Sequence, residues 1–155
     1  MSDVGATPRE HKAHAPRSVG CWVVTISDTK TPETDTSGAV IRELLSAAGH
    51  HVVGVTIVSD EPAEVQRVVR EACQDERVQA VILTGGTGIT SRDSTFEAIE
   101  ALLDKRLPGF GELFRMLSYQ EIGAAAMLSR AQLGIHARRI VVSLPGSPQA
   151  CRLAL

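Results

Sequence analysis

Polar and glycine-rich segments follow four apolar runs of this sequence, and their residue types are the ones that could do chemistry. The first run ends in Ser27-Asp28, the second in Ser59-Asp60 and the last in Pro145-Gly146-Ser147. The third ends in the longest segment, which extends from Thr84 to Asp93 and contains three glycines. Loops of this kind bind ligands where they follow the carboxyl ends of parallel strands.

The glycine-rich segment predicts an anion site. Gly85, Gly86 and Gly88 carry no side chains, so backbone N–H groups there can approach a phosphate, and Thr87 adds a hydroxyl donor. Ser147 begins a short helical pattern, and helix N-termini also favour anions. The G-G-T-G pattern lacks the lysine of a P-loop and follows the third run, so it is not the dinucleotide fingerprint either.

Three aspartates, Asp28, Asp60 and Asp93, lie beside this predicted anion site. One explanation is Mg²⁺, which proteins hold with one or two carboxylates plus substrate phosphates. The other explanation is structural, because aspartates also cap turns and helices, and Asp60 precedes Glu61-Pro62 in a typical capping position. On the residues alone both explanations stay open, and the chemistry indicated is binding of a phosphorylated ligand with a divalent cation.

The elements that must position these loops alternate along the chain. Short apolar runs rich in valine and isoleucine are typical of strands buried on both faces, and patterns with helical spacing separate them. Strand–helix alternation predicts a three-layer α/β fold with a mostly parallel sheet. Ser94 and Glu97 have capping-box spacing, Ser147 can cap a last short helix, and 124–130 fits either helix or strand. The predicted strands are 19–26, 51–58, 79–84 and 139–144, and the predicted helices are 35–48, 61–77, 94–105 and one through 113–117.

Composition excludes several classes of protein. The chain has 155 residues and a net charge of −2, so it forms one domain without the basic surface of a nucleic-acid binder. No apolar stretch approaches the roughly 20 residues of a membrane helix, and because Met1 to Arg17 contain no apolar segment we expect no secretory signal there. Three widely spaced cysteines suit an intracellular protein, which we expect to be cytoplasmic. We expect residues 1–17 to form a mobile tail and 18–155 a single domain.

Nine short motifs occur in order from about Val19 to the end of the chain, and together they resemble the MoaB/MogA family of molybdenum-cofactor biosynthesis proteins. The F-R-M-L-S and P-G-S-P variants are more similar to the MoaB branch. The motifs are Ile26-Ser27-Asp28, Asp35-Thr36-Ser37-Gly38, Ser59-Asp60-Glu61, Thr84-Gly85-Gly86-Thr87-Gly88, Arg92-Asp93, Pro108-Gly109-Phe110-Gly111-Glu112, Phe114-Arg115-Met116-Leu117-Ser118, Leu128-Ser129-Arg130 and Leu144-Pro145-Gly146-Ser147-Pro148.

The resemblance implies a three-layer α/β fold, a homotrimer or a hexamer, and binding of molybdopterin. It implies transfer of the adenylyl group of Mg·ATP to the molybdopterin phosphate, which gives adenylylated molybdopterin and pyrophosphate. Asp60 and Asp93 would then be catalytic and hold Mg²⁺. Other molybdenum-cofactor enzymes are a further class of partner. The substrate- and nucleotide-binding residues that it implies are Ser27, Asp28, Gly85, Gly86, Thr87, Gly88, Gly109, Phe110, Glu112, Ser118, Pro145, Gly146 and Ser147.

Three other functions remain compatible with the sequence. The first is a molybdopterin-binding carrier or assembly protein without catalysis, since a shared fold does not settle activity. The second is a related enzyme of molybdenum insertion or nucleotide pyrophosphate hydrolysis, although such domains usually belong to larger chains. The third is a flavodoxin-like binding module, in which the three aspartates would be unrelated caps. We also expect a short last helix, because the chain ends soon after Ser147-Pro148.

Overall fold

The computed structural model describes residues 7–155. Part of the predicted tail, residues 1–6, therefore lies outside the described residues. From Thr7 onward the chain forms a short, fully exposed helix, Pro8–His14, which the sequence analysis did not predict. A reciprocal capping box between Thr7 and Glu10 begins this helix.

Strands and helices alternate from Gly20 to Ile122, as the sequence analysis predicted, whereas two of the six strands in the described range, 105–106 and 132–136, were not predicted. The strands are β1 (Gly20–Ile26), β2 (His51–Val58), β3 (Ala80–Thr84), β4 (Lys105–Arg106), β5 (Gln132–His136) and β6 (Arg139–Leu144). The α-helices are α1 (Pro8–His14), α2 (Thr36–Ala47), α3 (Pro62–Gln74), α4 (Thr95–Glu100), α5 (Pro108–Ile122) and α6 (Pro148–Ala154), and a 3₁₀ helix covers Gly123–Leu128.

One six-stranded sheet has the order β2-β1-β3-β6-β5-β4. Its first four strands run parallel, whereas β5 is antiparallel to both β6 and β4. Helices α3 and α4 cover one face, and α2, α5 and α6 contribute to the core on the other. The predicted three-layer α/β fold with a mostly parallel sheet is confirmed.

Alternation along the central strands produces two hydrophobic cores, one on each face of the sheet. In β1, Val24 packs toward α3, whereas its neighbour Val23 packs toward α2. Both side chains are fully buried, which is why the run reads as continuously apolar. Cys21 and Cys73 are buried free thiols, one in each core, and burial raises the pKa of both.

The antiparallel end of the sheet differs from the prediction. A two-residue turn joins β5 to β6, with Ala137 and Arg138 both at positive φ (47° and 63°). Such turns usually carry asparagine or glycine, so the hairpin has no strong sequence signal. Helix α4 ends at Glu100 rather than at Lys105, because 105–106 pair with β5 as β4 instead. Residues 124–130, which fitted either helix or strand, lie largely in the 3₁₀ helix Gly123–Leu128.

In the part of the chain that the structure describes, no helix combines the length and the apolar composition needed to cross a membrane. The longest, α5, spans Pro108–Ile122 and has buried residues on one face only.

The two-sided burial of β3 predicts an unequal cost for the same substitution at two strand positions. Val81 is fully buried in β3, and Val55 is 45% exposed on the edge strand β2. We expect Val81→Ala to lower the free energy of unfolding by about 2 kcal/mol, since it removes buried methyl groups and leaves a void. Val55→Ala should lower it by less than about 0.5 kcal/mol. Urea denaturation of both variants checks this, and equal losses would contradict the assigned core.

Candidate ligand-binding site

The carboxyl ends of the parallel strands lie level at one edge of the sheet. Thr84, the last residue of β3, pairs with Thr25 on one side and with Leu144 on the other. Beyond the strands, the Gly85 N–H donates to the Leu144 carbonyl at 3.0 Å, and the Ser27 N–H donates to the Val58 carbonyl at 2.9 Å. The four polar loops therefore meet at this edge, as the sequence analysis predicted.

The loop after β3 is closely packed at its glycines. Gly86 has a φ of +66°, and a Cβ added there would overlap the Thr95 hydroxyl and approach Asp60 Oδ2 to 3.1 Å. A Cβ added at Gly88 would overlap the carboxylate of Asp93. The two aspartates that were predicted to be catalytic thus flank the same loop, one beside each of these glycines.

Asp60 does not cap the helix that follows it. Glu61 is the N-cap of α3 and makes no side-chain cap bond. Instead, Asp60 Oδ1 accepts hydrogen bonds from the hydroxyls of Ser94 (3.3 Å) and Thr95 (3.1 Å). The capping box predicted for Ser94 and Glu97 is accordingly wrong, because the Ser94 side chain is turned toward the neighbouring loop and makes no cap bond.

Asp93 is held by its own loop. Its Oδ2 accepts hydrogen bonds from the Thr90 hydroxyl (2.6 Å) and the Thr90 N–H (3.1 Å). The Thr90 hydroxyl is the main cause that lowers the pKa of Asp93, and the Thr90 amide, the Arg130 charge and the Gly88 amide lower it further against the effect of desolvation. Asp93 is therefore ionised at neutral pH and already faces the N–H side of the glycine loop.

Arg92 connects two acidic groups of this edge, Asp28 and Glu61. Arg92 Nη2 lies 2.6 Å from Asp28 Oδ2 and 3.7 Å from Glu61 Oε1, and Asp28 Oδ1 accepts the Asp60 N–H at 3.2 Å. The Arg92 hydrogen bond lowers the pKa of Asp28, and the Asp60 amide lowers it further. Loops from three different strands are linked in this way.

The carboxylates at this edge fit a hard cation only in combination with a ligand. In residues 7–155, no group of three or more His, Cys, Asp and Glu side chains could hold a metal ion. The hydroxyls of Ser94 and Thr95 engage Oδ1 of Asp60, and Thr90 engages Oδ2 of Asp93, so each carboxylate keeps its other oxygen. One or two carboxylate oxygens completed by phosphate oxygens are the usual donor set for Mg²⁺.

Two cavities open at this edge, and Gly146 contributes to both. The smaller has a volume of about 130 Å³ and lies between the loops after β1 and β3. The larger has a volume of about 330 Å³ and lies between the glycine loop and α5. The smaller is lined by Thr25, Ile26, Ser27, Lys30, Asp35, Ser37, Thr84, Gly85 and Gly146. The larger is lined by Thr87, Gly88, Phe114, Ser118, Ile122, Leu128, Ser129, Pro145, Gly146, Ser147 and Ala150.

Most of the predicted binding residues come together here, but three do not. Glu112 lines a separate cavity of about 200 Å³ on the other side of α5. Phe110 packs in the core with its ring 6.2 Å from that of Phe114, and Gly109 has no atom within 4 Å of an added Cβ. Within one chain, their assignment to the substrate site stays a prediction.

The structure adds residues that the sequence analysis did not assign to the site. Asp35 is buried, caps α2 through the Gly38 N–H (2.9 Å) and accepts the Thr25 hydroxyl at 2.7 Å. Ser37 donates to the Gly146 carbonyl at 3.0 Å, which fixes the loop after β6. Arg130 binds carbonyls of the glycine loop. All three lie in motifs that carried the family resemblance, and this was the signal that could have found them.

Comparison with known proteins identifies the family of the chain. The family described as "Probable molybdopterin binding domain" matches residues 22–155. "Molybdenum cofactor biosynthesis protein B" of Bacillus cereus is 54% identical over 147 residues, which are 94% of this chain and 87% of that protein. A crystal structure of molybdenum cofactor biosynthesis protein B has a TM-score of 0.88 at 55% identity, over 90% of this chain and 88% of that one.

A more distant structure is similar over nearly the same length. The "tungsten cofactor synthesizing protein MoaB" of Pyrococcus furiosus is 42% identical, with a TM-score of 0.80 over 90% of this chain and 89% of that one. These matches confirm the resemblance that the sequence motifs indicated.

The salt bridge between Arg92 and Asp28 predicts how the pKa of Asp28 changes when Arg92 is replaced. The pKa of Asp28 is lowered from 3.8 chiefly by Arg92. Because the folded-state pKa lies below the unfolded one, this contribution to stability is present above pH 3.8 and is lost as the pH falls through the folded-state value. Arg92→Gln should raise the Asp28 pKa toward 3.8, as measured by NMR titration of the carboxyl carbon. Arg67→Gln on α3 is the control, and an unchanged Asp28 pKa in Arg92→Gln would contradict the assignment.

Proposed function

The chain belongs to the family of molybdopterin-binding domains that includes molybdenum cofactor biosynthesis protein B, and on this premise we propose that it transfers the adenylyl group of Mg·ATP to the phosphate of molybdopterin. The observation that carries the proposal is the glycine loop flanked by Asp60 and Asp93 at the carboxyl edge of a parallel sheet. A role in molybdenum-cofactor biosynthesis follows from the family, and the reaction is our inference.

The reaction requires positioning and neutralisation of charge more than covalent help from the protein. An oxygen of the molybdopterin phosphate attacks the α-phosphorus of ATP and forms a new P–O bond. The bond from that phosphorus to the β-phosphate oxygen breaks, and pyrophosphate leaves with its electron pair. No general base is needed, because the attacking phosphate is already ionised at neutral pH.

The residues of this chain would hold the reacting groups in line. Backbone N–H groups of 85–88 would bind phosphate oxygens of the nucleotide. The free carboxylate oxygens of Asp60 and Asp93 would hold Mg²⁺. When bound, this ion supplies charge neutralisation at the phosphates as the leaving group departs. The two cavities that share Gly146 are where parts of the two substrates would bind.

A non-catalytic carrier of molybdopterin is the second candidate. The observation that favours it is that one oxygen of each aspartate is already engaged in hydrogen bonds within the fold, as a purely structural residue would be. A carrier would bind the pterin in the same cavity and release no pyrophosphate. The two candidates therefore differ in the product that they form. A cytoplasmic location and association with other molybdenum-cofactor enzymes stay predictions from the sequence.

Pyrophosphate release from Mg·ATP in the presence of molybdopterin tests the proposed reaction. We expect pterin-dependent release by the unaltered chain, and loss of about 100-fold or more in turnover for Asp93→Asn, because charge stabilisation of the phosphates is removed. Substrate binding should change less than turnover. Asp75→Asn, at the opposite end of β3 and paired with Arg77, is the matched control and should keep full activity.

Two outcomes would overturn the proposed reaction. If the unaltered chain binds pterin tightly but releases no pyrophosphate, the adenylyl-transfer proposal is wrong and the carrier function remains. Unchanged turnover in both Asp93→Asn and Asp60→Asn would show that the carboxylates are structural. Chelation of Mg²⁺ by EDTA is an independent check and should abolish release.

The outer face of α5 supports a homo-oligomer, which we propose as a trimer or hexamer. Leu113, Met116 and Tyr119 recur at helical spacing and are each more than half exposed, and Met127 beyond the helix is 74% exposed. The opposite face of the same helix lines the larger cavity. An apolar stripe of this kind is typical of an interface between subunits.

Charge introduced into this stripe tests the assembly. We expect Met116→Glu to shift the chain to a smaller species in sedimentation equilibrium, because a buried unpaired carboxylate at a subunit contact is costly. Val55→Glu places the same charge on a partly exposed valine of the edge strand β2 and should leave the mass unchanged. An unaltered mass in Met116→Glu would assign the contact to another surface.

A further inference from the structure

Arg130 reaches the glycine loop from the segment that joins the 3₁₀ helix to β5. Its Nε donates to the Thr87 carbonyl at 3.2 Å, and its Nη2 donates to the carbonyls of Gly88 and, at 3.2 Å, of Asp93. The side chain is only 24% exposed. One guanidinium therefore binds three backbone carbonyls of the loop that was predicted to hold phosphate.

The guanidinium is itself fixed from two other directions. Nη1 of Arg130 forms an ion pair with the Glu97 carboxylate on α4. The guanidinium also lies over the ring of Phe96, 5.1 Å from its centroid. Four of the five N–H donors are thus used within the protein, so Arg130 is placed to act on the loop and not on a ligand.

Because Arg130 binds the carbonyl oxygens, it also determines the direction in which the N–H groups of the same peptides point. No cis peptide occurs among the described residues, and in a trans peptide the C=O and the N–H point in opposite directions. Because Arg130 holds the carbonyls of Thr87 and Gly88, the N–H groups of Gly88 and Ile89 point away from the guanidinium. The carboxylate of Asp93 lies beside Gly88, and the Gly88 amide lowers the pKa of that carboxylate, so an anionic group does occupy the amide side of this loop.

We propose that Arg130 is a positioning residue that fixes the orientation of the glycine-loop peptides, so that their N–H groups and not their carbonyls face the phosphate groups of the nucleotide. This inference rests on the proposed function for the identity of the ligand. Arg130 would fix the orientation of the peptides whether or not a ligand is bound. Without the guanidinium, the glycines permit the peptides to rotate, and a carbonyl turned inward would repel phosphate.

Two substitutions separate charge from geometry. Arg130→Met removes the charge and keeps most of the stem, and Arg130→Lys keeps the charge but cannot bridge three carbonyls. Arg67→Met is the control, because Arg67 also pairs with carboxylates but lies on the exposed face of α3. If Arg130→Met fails to fold, Glu97→Gln and Arg130→Lys are used in its place. Glu97→Gln removes the carboxylate that pairs with the guanidinium.

The first measurement is amide hydrogen exchange of 87–93 in the full, ligand-free chain. We expect faster exchange in Arg130→Met, a smaller increase in Arg130→Lys and no change in Arg67→Met. Exchange that is unchanged in both Arg130 variants would overturn the proposal, whatever the chain catalyses.

The second measurement is the affinity for Mg·ATP by calorimetry, together with the kinetics of pyrophosphate release. We expect the dissociation constant and the KM for Mg·ATP to rise about tenfold in Arg130→Met, as for loss of one good hydrogen bond to a charged group, with kcat reduced less. Unaltered affinity in this variant would overturn the proposal. If the unaltered chain does not bind Mg·ATP, the proposed function has failed, and the exchange measurement alone decides the role of Arg130.

Discussion

The level ends of three parallel strands are the constraint on which the rest of this structure depends. Backbone hydrogen bonds hold Thr25, Thr84 and Leu144 side by side, and both faces of these strands are buried. Each chain segment must therefore leave the sheet at the same edge, although the segments are far apart in sequence. The backbone pairing of the strands therefore positions the candidate site. The glycines and hydroxyls of the loops allow them to pack closely at this edge.

Carboxylates at this edge lie close to backbone amides that would bind an anionic ligand, and the carboxylates would repel such a ligand. Asp60 is engaged by two hydroxyls, Asp28 by an arginine and Asp93 by a threonine of its own loop. The pKa values of Asp28 and Asp93 are lowered, so these two carboxylates are ionised at neutral pH. A phosphate ligand would meet both amide donors and carboxylates, which is the environment that a bridging divalent cation reconciles.

Helix α5 connects the site to the outer surface of the molecule. Its inner face supplies Phe114 and Ser118 to the larger cavity, while Tyr119 and Met116 are exposed on the outer face. A partner that covers the outer face would restrain the helix that forms one wall of the cavity. Assembly and ligand binding, as proposed, would therefore be linked physically through a single element, and the segment after it carries Arg130 to the glycine loop.

The sequence by itself determined the parallel half of the fold, because a strand buried on both faces is recorded locally as an apolar run. Arg139–Leu144 was predicted at its observed bounds for that reason. His51–Val58 was predicted at its observed bounds from a similar apolar run, although this edge strand is mostly only partly buried. It also placed the glycine loop and the aspartates at one edge, since parallel order implies a common edge. Only the tertiary structure decided the rest. The hairpin of β5 and β6 depends on two residues at positive φ without a turn signature, and α4 ends where pairing with β5 outweighs helical propensity. The partners of Asp60 and Arg130 lie more than thirty residues away, at distances that no local pattern encodes.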